Sequence, residues 1–554
     1  MKRLFYILLL LTFLAGCNSH EEITSSLPTI TFEQGNIYEV KVGSSLTLVP
    51  IVEYGEQYRW MSGGITLATT PNYTFSADKE GTFYLTLRVE NEAGYVQEDL
   101  RIDVVALRPP VISFAVGEDR LLVLPFGEHT LSAQVLAGDD AEYEWSIDGK
   151  VVCSDVTCPL TLSQEGEHAL SLRVENGDGM AEERLTLRAV RRLAGEILLS
   201  DSYTVPLGRT LYIDATLWNF STPSYLWQCG GESSTESIFA FTPTSEGEHL
   251  LSLTVTDGDG YSLSRSVSVV CTPCEGTFRR EATGQSSAIA SKVYAYRPAA
   301  GQFINEPQSG FAGETTAESA MAYAERRLAN GEYLSLGAWG GYVVVGFDHS
   351  VANGDGEWDF SVAGNMHDGS SEAGIVWVMQ DENGNGAPDD VWYELRGSEW
   401  GTDNHSRGYA ITYYRPWGEG MNVQWRDNRG QSGSVMRNAT HNHAYYYPAW
   451  EQDHFTLYGS WLAPNTEQDA VTGNQVNRAY EWGYADNQGE DSDEGSTGEA
   501  VRNYFSIDSA VAPGGQAVNL QYIDFVKIQS AINYSAGVLG EISTEVVSIE
   551  DENL

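Results

Sequence analysis

The stretch EGTFYLTLRVENEAGY, from Glu80 to Tyr95, decides the fold of the N-terminal half, because it recurs twice. Its counterparts are EGEHALSLRVENGDGM, from Glu165, and EGEHLLSLTVTDGDGY, from Glu246. In each copy apolar residues alternate with polar ones, and this period of two predicts strands with one buried face. The glycines that follow suit a tight hairpin turn. Three similar β-rich units are therefore expected.

Each repeat also contains a tryptophan, within YRW at Trp60, YEW at Trp145 and YLW at Trp227. A unit of about 80–85 residues, with short strands and a tryptophan on a central strand, is typical of an immunoglobulin-like sandwich. From Leu27 to Thr272 the repeats resemble PKD-like domains, in which a YxW strand and a later strand ending at a glycine turn recur.

The domain organisation follows from these repeats. The linkers between them are short, around ALRPP at Ala106–Pro110 and VRRLAG at Val190–Gly195, and short linkers together with the prolines of the first favour a semi-rigid stalk. The predicted segments are a signal peptide at 1–17, an acidic export linker at 18–26, PKD-like domains at 27–106, 107–190 and 191–273, and a ligand-binding β-sandwich at 274–554.

The N-terminus indicates the location of the protein. A basic start and a short apolar run, too short to span a bilayer, end in LAGC at Cys17. This arrangement resembles a bacterial lipobox, in which the cysteine is lipidated, and the alternative is an ordinary signal peptide with a chance cysteine. The acidic residues that follow resemble the surface-export signal of Bacteroidetes lipoproteins. The resemblance implies a lipid-anchored protein exposed on the outer membrane.

The charge balance excludes one class of partner. The chain has 77 acidic and 32 basic residues and a formal net charge of −45. Such a surface repels phosphates, so a nucleic-acid partner is not expected.

The cysteines of an exported protein are candidates for disulfides. Cys153 and Cys158 are close enough in sequence to staple a hairpin, and Cys229 has Cys271 or Cys274 as a partner. The predicted disulfide residues are Cys153, Cys158, Cys229 and Cys271. A zinc site is the competing interpretation, but no second cysteine or histidine pair supports it.

The C-terminal domain has a different composition, richer in Trp, Tyr, Gly and Asn. AESAMAYAERRLANG, Ala317–Gly331, has near-helical apolar spacing and predicts a helix. About nine strands follow, which indicate a two-sheet jelly roll. The predicted fold class is thus all-β, with three immunoglobulin-like sandwiches in tandem and a larger jelly-roll-type sandwich with one short helix.

Two segments of this domain carry a further resemblance. LSLGAWGGYVVVGFDHSVANGDGEWDFSVAGN, from Leu334, and YIDFVKIQ, from Tyr522, resemble galactose-binding-like sandwiches of bacterial surface proteins. The region also resembles an uncharacterised family of Bacteroidetes cell-surface lipoproteins with PKD-like repeats. Some of its members are encoded beside TonB-dependent corrinoid uptake systems, which implies a corrinoid ligand and a TonB-dependent transporter as partner.

The stretch QDENGNGAPDD, from Gln380, predicts a calcium loop. Oxygen ligands at alternating positions around a glycine turn suit calcium. The loop is not an EF-hand, because position twelve is a tryptophan and the flanks are predicted strands. A polar turn without metal is the alternative. The predicted ligands are Asp381, Asn383, Asn385, Asp389 and Asp390.

Aromatic residues of the C-terminal domain are the predicted ligand-binding surface. Trp and Tyr rings present flat apolar faces with a polar edge, which suit stacking on sugars or on a large planar ligand. About half of them are expected in the core. The predicted ligand-binding residues are Arg415, Trp417, Trp425, Tyr445, Tyr446, Tyr447, Trp450 and Trp482.

These features favour a binding protein over an enzyme, since the chain contains no GxSxG or HExxH motif. We expect a surface lipoprotein that captures an extracellular glycan or corrinoid with a calcium-stabilised domain carried on a PKD-like stalk. The alternatives are a glycan-cleaving surface enzyme and an adhesive protein without a small ligand.

Overall fold

The computed structural model describes residues 26–290, 292–470, 472–494 and 500–554. The predicted lipidation site, Cys17, lies outside these ranges, as does most of the predicted export linker. Within them, no helix combines the length and the apolar character needed to cross a membrane.

Each of the three repeats contains nine strands. The first repeat has β1 Thr29–Thr31, β2 Ile37–Lys41, β3 Ser45–Leu48, β4 Ile51–Glu53, β5 Gln57–Ser62, β6 Ile65–Ala68, β7 Tyr73–Ser76, β8 Gly81–Asn91 and β9 Gly94–Val105. The second has β10 Val111–Ser113, β11 Leu121–Pro125, β12 Gly127–Leu131, β13 Gln134–Leu136, β14 Glu142–Ile147, β15 Lys150–Cys153, β16 Cys158–Leu162, β17 Gly166–Asn176 and β18 Gly179–Val190. The third has β19 Glu196–Leu198, β20 Ser202–Pro206, β21 Leu211–Ile213, β22 Thr216–Trp218, β23 Ser224–Cys229, β24 Glu232–Ser234, β25 Phe239–Phe241, β26 Gly247–Thr256 and β27 Ser262–Thr272.

The repeats share one topology. In the first, a five-stranded sheet has the order β2-β9-β8-β5-β6, and two-stranded ladders join β1 to β4 and β3 to β7. The second and third repeats reproduce these pairings strand for strand, including the parallel pair between the second and last strands. The predicted tandem of immunoglobulin-like sandwiches is therefore confirmed.

The signature tryptophans anchor the three cores. Trp60, Trp145 and Trp227 are fully buried on the central strands β5, β14 and β23. Each indole N–H donates to a backbone carbonyl 9 to 11 residues later in the chain. This bond satisfies the one polar atom of a large apolar side chain, so the ring is buried without an unpaired donor.

The C-terminal domain contains seventeen strands and one α-helix among its described residues. They are β28 Lys292–Arg297, α1 Ala317–Ala329, β29 Leu334–Ser335, β30 Tyr342–Ala352, β31 Phe360–Gly364, β32 Gly374–Met379, β33 Tyr393–Leu395, β34 His405–Tyr414, β35 Val423–Asp427, β36 Ser432–Val435, β37 His454–Leu462, β38 Thr466–Gln468, β39 Gln475–Asn477, β40 Val501–Phe505, β41 Ala510–Val511, β42 Tyr522–Ser530, β43 Glu545–Val546 and β44 Ser548–Asp551. Many are too short to show an alternating pattern, which is why sequence periodicity predicted only about nine.

Three sheets dominate this domain. The largest has six strands in the order β28-β30-β42-β32-β33-β41, and the others are β40-β31-β44 and β36-β35-β34-β37. The predicted helix is confirmed, and Thr316 caps it through its side chain, which accepts from the backbone N–H of Ser319.

The second and third repeats do not form a stalk separate from the C-terminal domain. Among the described residues, 110–176 with 180–554 constitute one compact unit, whereas 26–109 with 177–179 constitute another. Buried side chains of the third repeat and of the six-stranded sheet belong to one continuous hydrophobic core. The predicted PKD-like stalk is therefore corrected for these two repeats, because apolar burial fuses the third repeat to the C-terminal domain.

The predicted disulfides are absent from the structure, in which all five described cysteines are free thiols. Cys229 lies on β23 and Cys271 on β27, and β26 separates these strands. The two cysteines are thus separated by two strand spacings of about 4.8 Å each, and this total distance exceeds the Cα–Cα separation that a disulfide can bridge. The sulfur atoms of Cys153 and Cys158 contact backbone oxygens, and the two thiols also lie close enough to interact with each other, so a disulfide between them stays a prediction. Burial raises the pKa of the Cys158 thiol to about 12 and that of Cys229 to about 11.

Candidate ligand-binding cleft

A cleft of about 550 Å³ opens between the third repeat and the six-stranded sheet. Its volume falls in the range of ligand pockets, roughly 300–1,000 Å³. We call it the Lys527 cleft. The residues that define it here are Asp201, Asp214, Arg297, Tyr342, Val344, Trp377, Asp389, Asp390, Trp392, Arg407, Tyr458, Lys527 and Gln529.

The outer face of the six-stranded sheet forms the floor of the cleft. Lys527 on β42 lies directly between Val344 of β30 and Trp377 of β32. The next row on the same face places Gln529 beside Tyr342. Since alternate strand residues share a face, these side chains point away from the apolar core on the other side of the sheet.

The ammonium group of Lys527 lies above three aromatic rings. Its Nζ is 4.5 Å from the ring centroid of Trp377, 5.5 Å from that of Trp392 and 5.8 Å from that of Tyr342. Burial lowers the pKa of Lys527 to about 8, against the opposing effect of Glu394. Lys527 has no hydrogen bond or ion pair within the described part of the chain.

Two other polar groups of the floor are also unpartnered. Gln529 donates its amide N–H groups to the carbonyls of Gly340 and Tyr458, but its Oε1 accepts no hydrogen bond from any residue that the structure describes. The indole N–H of Trp377 is buried without an acceptor among the described residues. Native proteins satisfy most buried polar atoms, so an accumulation of unpaired ones points to a site that serves a polar ligand.

An arginine ties the two sides of the cleft together. Arg407, near the start of β34, makes two hydrogen bonds to Asp214 of the third repeat, at 3.1 and 3.2 Å. A third bond, of 3.1 Å, runs to Glu394, which also accepts from His405 and Ser460. This bidentate geometry holds the wall of the third repeat against the sheet.

The rim of the cleft combines an exposed ring with carboxylates. Tyr458 of β37 is 47% exposed, which leaves a ring face open at the mouth. Burial raises the pKa of the Asp390 carboxyl to about 6, although its hydrogen bonds to Thr204 and the Glu382 N–H oppose this effect. Aromatic faces beside hydrogen-bonding groups are what a site for a polyhydroxylated ligand requires.

None of the eight residues predicted to bind the ligand lines this cleft. Tyr446 and Tyr447 are fully buried, and their hydroxyls donate to the carbonyls of His441 and Gln452. The prediction is wrong for these two residues, because a fully buried ring cannot stack on a ligand. Of the three consecutive tyrosines in this irregular segment, only Tyr445 lies at the surface, with 38% exposure.

Three other predicted residues serve packing. Trp417 contacts Phe114 of the second repeat, with ring centroids 5.7 Å apart, and Arg120 lies over its ring. Trp450 packs on Tyr296 and Phe311, beside α1. Arg415 donates to the carbonyls of Ala449 and Glu451 and covers the ring of Tyr447. Their predicted role is corrected, since the partners are other parts of the protein itself.

The remaining two predicted residues lie apart from each other. Trp425, half-buried on β35, lines a smaller cleft of about 300 Å³ between the second repeat and the C-terminal domain. Trp482 is half-buried in a loop, where its carbonyl accepts from the Ser398 N–H. The aromatic residues predicted from sequence therefore do not assemble into one platform.

The predicted calcium loop closes on itself through hydrogen bonds. Both carboxylate oxygens of Asp381 accept backbone N–H groups, from Gly384, Asn385 and Gly386. The side-chain amides of Asn383 and Asn385 donate to Asp389, and Asn383 also donates to Asp390. These bonds account for the loop as a polar turn, and calcium binding stays a prediction.

Sequence reasoning missed a cluster of three carboxylates in the core. Oxygens of Glu372, Asp486 and Glu545 lie within 4.8 Å of one another. Burial and mutual repulsion raise the pKa of Asp486 and Glu372 well above their ordinary values, and burial raises that of Glu545 to about 7. Glu372 and Glu545 are 173 positions apart in the sequence, so no local motif marks the cluster.

The residues of the Lys527 cleft left one faint signal in the sequence. In YIDFVKIQ, Lys527 and Gln529 alternate with Val526 and Ile528 on a strand that is otherwise apolar or aromatic apart from Asp524. A lysine within such a strand is expensive to bury without a reason. The signal identifies a special position but not the residues that surround it.

Comparison with known proteins agrees with the repeats. A family model described as a PKD-like domain matches residues 28–91, within the first repeat. Among curated proteins, none matches the chain.

Solved structures with a similar arrangement of strands include tandem immunoglobulin-like modules. The I-band fragment I67–I69 of titin is 12% identical, with 44% of this chain and 98% of that chain covered and a TM-score of 0.22. The three N-terminal domains of the Highly Immunogenic Outer Capsid protein of bacteriophage RB49 are 12% identical over 45% and 100%, with a TM-score of 0.22. Fibronectin(III)-like modules of Clostridium thermocellum CbhA are 16% identical over 32% and 100%, with a TM-score of 0.16.

Proposed function

We propose that this chain is a lipid-anchored cell-surface protein whose Lys527 cleft binds an extracellular carbohydrate. The single observation that supports this most is the composition of the cleft. Rings of Tyr342, Trp377, Trp392 and Tyr458 lie beside hydrogen-bonding groups that have no partner in the described ranges of the chain. Sugars present apolar C–H faces and many hydroxyls, which require both kinds of group.

The architecture around the cleft supports binding by a preformed site. The floor is a sheet whose strands pair on both sides of Lys527, and the Arg407 bonds fix one wall. A rigid scaffold reduces the ordering cost that a ligand must offset. Anchoring through Cys17 and delivery to a TonB-dependent transporter complete the proposal as a nutrient-capture role.

A binding screen with one matched pair of variants tests the proposal. The full-length chain is screened against glycans and cobalamin by titration of its tryptophan fluorescence. For the glycan that binds, Tyr458→Ala is expected to weaken affinity about tenfold, since a stacked ring contributes roughly 1–1.5 kcal/mol. Tyr534→Ala, which removes an equally exposed tyrosine outside the cleft, is the control and leaves affinity unchanged.

Other outcomes decide between the alternatives. Binding of cobalamin without any glycan would assign the cleft to a corrinoid. Release of shortened sugars during the titration would show a glycan-cleaving enzyme. Equal losses in the Tyr458 and Tyr534 variants, or no ligand at all, would contradict the proposed site.

A further inference from the structure

The charged groups of the Lys527 cleft differ in whether the protein itself neutralises them. Arg297 makes a bidentate ion pair with Glu451, at 2.8 and 3.2 Å. Arg407 binds Asp214 and Glu394 as described above. The charge of each arginine is therefore neutralised by carboxylates of the protein itself, and neither arginine is free to pair with a ligand.

The acidic groups of the cleft are occupied as well. Asp201 lies 3.3 Å from Arg265, and Asp214 is held by Arg407. Asp389 accepts from the amides of two asparagines, and Asp390 accepts from the Glu382 N–H at 2.8 Å. Within the described residues, Lys527 is thus the one charged group of the cleft that has no hydrogen-bonded or ion-paired partner.

An unpaired ammonium at the floor is unexpected in this chain. Acidic residues outnumber basic ones by more than two to one, so carboxylates are available nearly everywhere. Aromatic rings attract the charge through their faces, but they accept no conventional hydrogen bond from its three N–H groups. Glu394 acts on this charge only from beyond ion-pair distance. A partly buried charge without a directly bonded partner is costly, and a negatively charged ligand that binds it removes that cost.

We infer that the ligand of the Lys527 cleft is an anionic glycan, whose carboxylate or sulfate group binds the Lys527 ammonium while its sugar rings stack on the aromatic walls. This inference rests on the proposed carbohydrate function and adds the chemical class of the sugar. On the same face of the sheet, Trp377 beside Lys527 offers an unused indole N–H, and Gln529 in the next row offers an unused Oε1.

Three probes and two variants test the inference. The probes are a galacturonic acid oligosaccharide, the same oligosaccharide with its carboxylates reduced to alcohols, and a sulfated galactose oligosaccharide. At least one anionic probe is expected to bind the full-length chain tenfold or more tightly than the reduced probe. Lys527→Met, which keeps the length of the stem and removes the charge, is expected to abolish that preference.

Controls separate this inference from the function on which it rests. Unchanged binding of the reduced probe by Lys527→Met shows that the variant is folded, and Lys527→Arg is expected to recover part of the preference. Equal affinity of the wild type for charged and reduced probes would overturn the inference and leave carbohydrate binding intact. Failure of every probe to bind would overturn both, and a preference for sulfate over carboxylate would identify the anionic group.

Discussion

At the scale of single residues, Glu545 shows how burial changes a carboxyl group. Its side chain is 4% exposed and accepts a hydrogen bond from Ser543 at 2.9 Å. Its pKa is raised from 4.5 to about 7, first by burial and also by nearby Glu541. In the native state the group therefore holds its proton at pH values where the unfolded chain has lost it.

This difference predicts a pH dependence of stability. The native state binds more protons than the unfolded state between about pH 4.5 and 7. The contribution of the Glu545 carboxyl to the free energy of unfolding is therefore fully present at low pH and is lost as the pH rises through this range. Glu545→Gln removes the ionisation, and its stability relative to the wild type is expected to improve by about 2 kcal/mol between pH 5 and 8. Urea denaturation at several pH values measures this change.

The control for this prediction is an exposed glutamate. Glu246→Gln, in the third repeat, is expected to show a stability difference from the wild type that is flat over the same pH range. A flat difference for Glu545→Gln as well would show that the raised pKa does not contribute to stability.

At the scale of elements, the loop between β32 and β33 carries the calcium prediction. Its hydrogen bonds hold Asp381 over three backbone N–H groups and bring Asp389 and Asp390 to the same asparagine. An alternating set of oxygen donors remains what calcium requires. The hydrogen bonds are those of a polar turn, and a calcium titration decides whether the same residues also bind the metal.

Calcium is expected to stabilise the chain through this loop. At a hundredfold excess over Kd, a ligand that binds only the folded state adds about 2.7 kcal/mol, which predicts a rise in Tm of several degrees. Asp389→Asn is expected to remove the rise, whereas Asp139→Asn, in the second repeat, keeps it. A Tm that calcium does not change in the wild type would leave the polar turn as the correct interpretation.

At the scale of the whole compact unit formed by residues 110–176 and 180–554, buried charges join the third repeat to the C-terminal domain. Arg209 lies between Glu275 and Glu382, and it also donates to Gln380 at 2.8 Å. Its side chain is 12% exposed, and that of Glu382 is 3% exposed. Removal of the arginine leaves buried carboxylates without compensation.

Arg209→Met is therefore expected to reduce the free energy of unfolding by about 3–5 kcal/mol. The matched control is Arg188→Met, which breaks the exposed ion pair with Glu167 and is expected to cost less than about 1 kcal/mol. Chemical denaturation measures both. Similar small losses in the two variants would show that the Arg209 ion pairs do not hold the third repeat in place.

The sequence alone determined those features that depend on neighbours along the chain. The alternation in Glu80–Tyr95 and its two copies predicted strands, because a strand places successive side chains on opposite faces wherever it lies. The tryptophans of the three repeats and the apolar spacing of α1 are local in the same sense. The all-β fold class and the helix could accordingly be predicted.

Tertiary structure decided which side chains share a site. Lys527 has Val344 on one side and Trp377 on the other because β42 pairs with β30 and β32, strands that lie more than a hundred residues earlier in the chain. Packing between segments far apart in the chain also buried Tyr446 and Tyr447 and placed Trp417 against the second repeat. Strand order and domain docking arise from the burial of apolar surface by the whole chain, so no local pattern specifies them.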